Sequence, residues 1–149
     1  MLMKLNGGNY VNNSEYKIEF KEFFDVFLLL EKQRLEILNY IESHLLGEGL
    51  SEDLMDRLRT YEISLRKLFS MFNNINPPKD FKTAHALYLQ TIAYRIQNYE
   101  CTVDSLVAAV ENDVTKVREA NDQMDHLSKI ITKTDELGWV EFKKAAGMK

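Results

Sequence analysis

The sequence contains little cysteine, proline or glycine, the residues that non-helical folds use for disulfides and turns. Cysteine occurs once, as Cys101, so an intrachain disulfide is excluded. Two prolines and six glycines in 149 residues are too few for the many turns of a β-sandwich or barrel. The longest apolar run covers only residues 26–30, whereas a membrane-spanning helix needs ~20 residues, so no membrane span is expected.

An excess of charge of one sign is also missing. The 19 Lys and Arg residues nearly balance the 23 Asp and Glu residues, and the net charge of -4 disfavours a nucleic-acid partner. Apolar residues at 45% and charged residues at 28% are typical of a globular chain. Residues 1–8 lack the apolar run of a signal peptide, so the sequence predicts a cytoplasmic protein.

The chain does contain long stripes in which apolar residues recur at steps of three and four, the spacing of one helix face. The stripes predict an all-α protein, an antiparallel bundle of three long helices at about 14–46, 51–75 and 79–133. A short C-terminal helix at 135–146 is expected to follow them.

Polar and helix-breaking residues set the predicted boundaries. Ser14 and Ser51 are expected to cap the N-termini of the first two helices. Residues 1–13 contain paired glycines and asparagines and are predicted to form a flexible arm. Residues 14–149 then make a single domain, which is the default for a chain of this length.

The third helical segment allows two arrangements. It contains no Gly or Pro between Pro78 and Gly138, so a continuous helix over 79–133 would extend ~80 Å and overhang the other two. That overhang would leave an apolar row without a partner, and it predicts a homodimer that covers the row. Alternatively, the polar residues 111–113 break the helix, and its distal part folds back within one chain.

Apolar helix faces favour a non-catalytic interaction or scaffold protein. Apolar side chains surround nearly the whole first helix at residues 23–30, which is more than a three-helix core needs. We expect these faces to bind a second copy of the chain or an unidentified protein. The candidate interface residues are Phe23, Phe27, Leu28, Leu30, Val117, Met124, Leu127 and Ile131.

Charged residues interrupt the apolar stripes. Buried charges persist only when they are paired, so Glu31 or Asp113 is expected to pair with Arg34 or Arg95 and to fix the helix register. The alternative is that these residues lie at the stripe edges and reach water. His85 is expected to bond to a neighbouring helix, through Glu31 or a tyrosine hydroxyl. The candidate polar core is His85, Arg95, Glu31, Arg34 and Asp113.

A metal-binding or enzymatic bundle is the alternative function, with His85 and carboxylates of neighbouring helices as its site. The three histidines, His44, His85 and His126, fall one on each predicted long element. None of them belongs to a Glu-x-x-His or His-x-x-x-His pattern, which disfavours di-iron and zinc sites. Nucleophile motifs and phosphate loops are absent as well, so we assign no catalytic residue, metal ligand or cofactor.

One segment resembles a known group of proteins. The positions that carry the resemblance are Pro77, Pro78, Phe81, His85, Tyr88, Val110, Asp113, Ala120 and Met124. Over residues 77–134 the chain resembles small helical-bundle proteins of Gram-positive bacteria. The resemblance implies a bacterial helical bundle without assigned activity, so no functional residue is carried over. Several of those proteins are anchored lipoproteins, but this sequence has no lipobox cysteine near its start.

Overall fold

The chain folds into four long α-helices. The computed structural model describes residues 11–44 and 50–148, and every regular element in that part of the chain is helical. The helices are α1 (Asn13–His44), α2 (Glu52–Asn73), α3 (Lys82–Val110) and α4 (Val114–Ala145), with a 3₁₀ turn at Lys79–Phe81 before α3. The predicted all-α class is therefore confirmed, whereas the predicted count of three long helices is wrong.

Of the two arrangements that the sequence allows for 79–133, the structure has the second: the helix is not continuous but breaks at Asn112, within the polar residues 111–113. This residue adopts the left-handed conformation, with φ 59°, and the backbone N–H groups of Asn112 and Asp113 donate to the carbonyls of Ala109 and Ala108. This pair of bonds is a Schellman motif, which ends a helix. The Asp113 side chain then accepts from the Lys116 N–H and starts α4, so it is an N-cap and not a core residue. The helix expected at 135–146 is the end of α4.

The first described residues belong to the fold and not to a flexible arm. Val11 is only 3% exposed, and its N–H donates to the Asn76 carbonyl beyond the end of α2. The Asn12 side chain accepts from the Glu15 N–H at 2.8 Å, so Asn12, and not Ser14, caps α1. Ser51 caps α2 as predicted, because its hydroxyl accepts from the Leu54 N–H. The rest of the predicted arm, residues 1–10, lies outside the described residues.

Consecutive helices run antiparallel. The start of α1 packs on the end of α2, where the rings of Phe23 and Phe72 stack with centroids 3.9 Å apart. The same end of α2 meets the start of α3, since Phe72 also stacks on His85 at 4.0 Å. In the α3–α4 pair, the Thr91 hydroxyl donates to the Thr134 hydroxyl at 2.8 Å, far from the connecting turn. The result is an up-down-up-down bundle.

Two kinds of packing hold the bundle together. Helices α3 and α4 approach closely because α4 carries Gly138 at their contact, and a Cβ there would lie 3.0 Å from the Tyr88 ring. Helix α1 is joined to this pair through large rings instead. Phe20 and Phe23 pack against Tyr88 with ring centroids 5.2 and 5.8 Å away.

The bundle covers most of the residues predicted to form an exposed interface. Phe23, Phe27 and Leu30 lie in the core on α1, and Leu127 and Ile131 are buried on α4. For these five the expectation of an exposed interface is wrong, because the bundle buries them within one chain: on α1, Phe23 packs against Phe72 of α2 and Tyr88 of α3. Among the other three, Leu28 is 51% exposed, and Val117 and Met124 are half-buried. The overhanging helix that motivated the homodimer does not form, because α3 and α4 are separate helices, and the homodimer itself stays a prediction.

We predict that Gly138→Ala destabilises the protein by about 1–3 kcal/mol, although alanine normally favours a helix, because the added methyl group collides with the buried Tyr88 ring. Chemical denaturation of both proteins measures the change. Combining it with Tyr88→Leu makes room for the methyl group, so the alanine should cost much less in that background. An equal cost in both backgrounds would contradict the proposed collision.

We also predict that Leu127→Glu lowers the free energy of unfolding by about 3 kcal/mol or more, because it places a carboxylate in a buried position. The matched variant Ile63→Glu changes a side chain that is 60% exposed and should stay within about 0.5 kcal/mol of the parent. Denaturation with light scattering at each step measures both stability and mass. A Leu127→Glu protein of unchanged stability and halved mass would instead place Leu127 in a dimer interface.

Candidate functional site

An ion pair between α1 and α3 forms the centre of the polar core. Arg95 Nη2 donates to Glu31 Oε2 at 2.8 Å, and Arg34 Nη2 reaches the same oxygen at 3.5 Å. The Arg95 side chain is 7% exposed and that of Glu31 is 23% exposed. Burial lowers the pKa of Arg95, and the Glu31 carboxylate opposes that effect by favouring the cation. The pair satisfies a charge that the bundle buries, and it links two helices in one register.

His85 lies among aromatic rings, away from the polar pair. Its Nδ1 shares a hydrogen bond of 2.8 Å with the Tyr16 hydroxyl, and its ring stacks on Phe72. Nε2 is buried and makes no hydrogen bond of ordinary geometry with any described residue. Burial lowers the pKa of His85 to about 4. The backbone of Phe72 favours the protonated ring and so raises the pKa, but this effect is smaller than that of burial. The ring is therefore neutral at pH 7, and a tyrosine is the partner at its bonded nitrogen.

The described residues do not assemble a metal centre. In residues 11–44 and 50–148 no group of three or more His, Cys, Asp or Glu side chains is placed to hold a metal ion. His126 is exposed on α4, and the side chain of His44 lies outside the described residues. His85 forms its side-chain hydrogen bond with Tyr16, and no hydrogen bond or ion pair joins it to a carboxylate in the described part of the chain.

An open apolar groove lies between the start of α1 and the end of α4; we call it the α1/α4 groove. Its volume is about 320 Å³. Phe24 stacks on Trp139 with centroids 5.7 Å apart, and Phe20 stacks on Phe142 at 3.8 Å. Phe20 and Phe142 are buried, whereas Phe24 and Trp139 are half-buried. The residues lining the groove are Lys17, Phe20, Lys21, Phe24, Trp139, Phe142, Ala146 and Met148.

Lysines border this apolar surface. Lys17 and Lys21 line the α1 side, and the Lys143 ammonium lies 5.8 Å from the centroid of the Trp139 ring. Lys21 pairs with Asp25, but neither Lys17 nor Lys143 forms an ion pair with any described residue. The rim is therefore positive although the protein as a whole is acidic. Such a site favours a ligand with an apolar side and negative charges.

A second cleft, of about 530 Å³, lies between the end of α3 and the start of α4. Charged side chains occupy much of its wall, including Asp104, Glu111, Lys116 and Glu119. Cys101 also lines this cleft, and burial raises the pKa of its thiol, which leaves the sulfur less reactive. The cleft has no aromatic anchor, so the α1/α4 groove is the better candidate for binding.

None of the predicted interface residues lines the α1/α4 groove. The aromatic residues that do line it are recognisable in the sequence as apolar positions, but the sequence does not show which of them the bundle leaves open. Trp139 and Phe142 belong to the short apolar segment that was expected to form a separate helix. The grouping of Trp139 with Phe24 depends on the return of α4 to α1, which follows from the break at Asn112.

Comparison with known proteins adds no functional information. No protein-family model matches the sequence, and no curated protein or solved structure matches it either. The resemblance of residues 77–134 to Gram-positive helical proteins therefore stays a prediction. No helix among the described residues is long and apolar enough to cross a membrane.

We predict that His85 makes the fold less stable in mild acid. The folded pKa of about 4 lies below the ordinary value of 6.5, so the unfolded chain binds more protons between these values. The contribution of the neutral His85 ring to the free energy of unfolding is fully present above pH 6.5 and is lost as the pH falls towards 4. The loss is on the order of 3 kcal/mol, because a tenfold change in proton affinity corresponds to about 1.4 kcal/mol.

Urea denaturation of the parent and of His85→Gln at pH 7 and pH 4.5 measures this effect. The variant, which cannot titrate at this position, should lose clearly less stability between the two pH values than the parent. His126→Gln removes an exposed histidine and should keep the parent's pH dependence. Equal pH dependence in the parent and His85→Gln would show that other groups cause the acid sensitivity.

Proposed function

We propose that this protein is a non-catalytic binding protein whose α1/α4 groove accepts an acidic amphipathic segment of another protein. The single observation that carries the proposal is the lysine-rimmed aromatic groove at Phe24 and Trp139. Half-buried aromatic rings bind apolar side chains strongly, because they give large contact area for little loss of conformational freedom. The proposal keeps the interaction role predicted from the sequence and moves its surface to another face of the bundle.

The rim favours an acidic partner segment. Carboxylates that face Lys17 and Lys143 gain charge-assisted contacts to ammonium groups that have no ion pair among the described residues. One or two apolar side chains of the segment fill the groove between the rings, as helix-in-groove complexes do. A groove of about 320 Å³ has room for side chains of this size and not for a whole helix, so the rest of the segment lies on the exposed rim.

A selection from a peptide library displayed on phage tests the proposal. The enriched peptides are expected to combine a large apolar residue with nearby Asp or Glu. Trp139 is the only tryptophan, so its fluorescence reports directly on the groove when a selected peptide is added. Lys17→Glu with Lys21→Glu should weaken binding about tenfold or more, because both changes replace attraction with repulsion.

The matched control is Lys67→Glu with Lys133→Glu, which changes the net charge equally at exposed positions outside the groove. It should bind like the parent. If both double variants bind equally weakly, the net charge of the protein and not the groove determines binding, and the assigned groove is wrong. A tryptophan response to anionic phosphatidylglycerol vesicles but not to peptides would assign the groove to lipid instead.

A second copy of the chain is the competing partner, and the homodimer predicted from the sequence would need the groove or another exposed apolar face. Leu28 is the predicted interface residue that stays most exposed. Light scattering at micromolar concentration separates the two partners: a mass near 17.4 kDa agrees with a partner of another kind, and twice that mass favours self-association.

A further inference from the structure

A row of solvent-accessible side chains continues from the α1/α4 groove along α1; we call it the α1 stripe. Its members are three or four residues apart, so they fall within about 80° of the helix circumference. The stripe extends over about five helical turns, or about 27 Å. It consists of Lys17, Lys21, Phe24, Leu28, Lys32 and Leu35.

The apolar members of the stripe reach out of the core. Leu28 is 51% exposed and Leu35 is 54% exposed, although the same helix buries Phe27 on another face. Phe24 stacks on Trp139 and joins the stripe to the groove. A single exposed leucine is ordinary in a folded protein, but two leucines in line with an open aromatic groove form a continuous apolar contact line.

The charged members of the stripe are all lysines. Lys17 and Lys32 form no ion pair with any described residue, and Lys21 pairs with Asp25 beside the stripe. The other neighbouring acid of α1, Glu31, is held in the ion pair of the polar core. The stripe therefore combines apolar side chains with unbalanced positive charge, and this combination favours an occupant that carries both apolar and acidic side chains.

A second copy of the chain matches this surface poorly. A two-fold contact places the same surface of both copies face to face. Antiparallel α1 helices that pair Phe24 with Leu28 also bring Lys21 of one copy within one turn of Lys32 of the other copy. The like charges then repel each other across the contact, whereas an acidic helix from another protein meets attraction at the same positions.

We propose, on the basis of the function proposed above, that the segment bound by the groove is an amphipathic α-helix of about five turns that lies along the α1 stripe. One large apolar side chain enters the groove at Phe24, and two others pack on Leu28 and Leu35. Acidic side chains between these contacts face the lysines of the stripe. The side of the bound helix towards α4, where Glu136 precedes Trp139 by one turn, carries none.

The surface also favours a helix over an extended segment. Every regular element among the described residues is helical, so no strand edge is present there to pair with an extended backbone. A helix satisfies its own backbone hydrogen bonds, and its apolar side chains recur at the same steps of three and four as the stripe.

Peptides of 20 residues, selected from a displayed library and titrated by Trp139 fluorescence, test this inference. Leu35 lies about 16 Å along α1 from Phe24, so a peptide that only fills the groove does not reach it. Leu35→Ser and Lys32→Glu should each weaken binding about fivefold or more, because a contact of the long helix is lost. All the changed side chains are exposed, so the variants keep the fold.

The matched controls are Ile63→Ser and Lys67→Glu, which change an exposed leucine-sized side chain and an exposed lysine on α2. Both should bind like the parent. In the peptide, proline is placed at a central position where alanine leaves binding unchanged. It should weaken binding about 100-fold, because proline breaks a helix at a cost of about 3 kcal/mol or more.

The outcomes separate this inference from the proposed function. If Leu35→Ser and Lys32→Glu bind like the parent while Lys17→Glu with Lys21→Glu weakens binding, the groove stands and the α1 stripe is wrong as its extension. A central proline that leaves binding unchanged overturns the helical conformation of the partner. A selection that enriches no peptide contradicts both the groove and the stripe.

Discussion

The fit of the Tyr88 ring against Gly138 is the contact on which the rest of the bundle depends. Because α4 carries no side chain at that position, α3 and α4 approach closely enough for Thr91 to bond directly to Thr134. The ring also forms part of the surface on which α1 packs, through Phe20 and Phe23. A small residue on one side of the ring and large ones on the other thus set the distances between three helices.

The helical class and the cap at Ser51 follow from the sequence, because steps of three and four and a hydroxyl before two acids are local signals. The break at Asn112 does not follow from the stripe. Both helices of an antiparallel hairpin turn their apolar face to the same core, so the steps continue across the turn as if the helix were unbroken. The capping residues carry the signal instead: asparagine tolerates a left-handed backbone, and Asp113 is a good N-cap.

Part of the polar core could be predicted for a similar reason. A charge within an apolar stripe must find an opposite charge, and Arg95 lies against Glu31 as that rule requires. The rule does not show whether a residue of the stripe lies inside a helix or at its end. It therefore predicts Asp113 in the core, although this residue caps α4. The α1/α4 groove could not be predicted from the sequence, because its two walls come from segments that are far apart in the chain. Only the returning α4 brings Trp139 to Phe24.

That distance in sequence has a consequence for synthesis of the chain. Helices α3 and α4 are joined by a short turn, so the contacts between them are local and form quickly. The contact between Phe24 and Trp139 instead joins residues that are separated by most of the described chain. A chain still emerging from the ribosome without α4 has Phe20 and Phe24 but lacks the rings of Trp139 and Phe142 that stack on them. The groove is completed only after α4 has docked, so a nascent or truncated chain cannot present it.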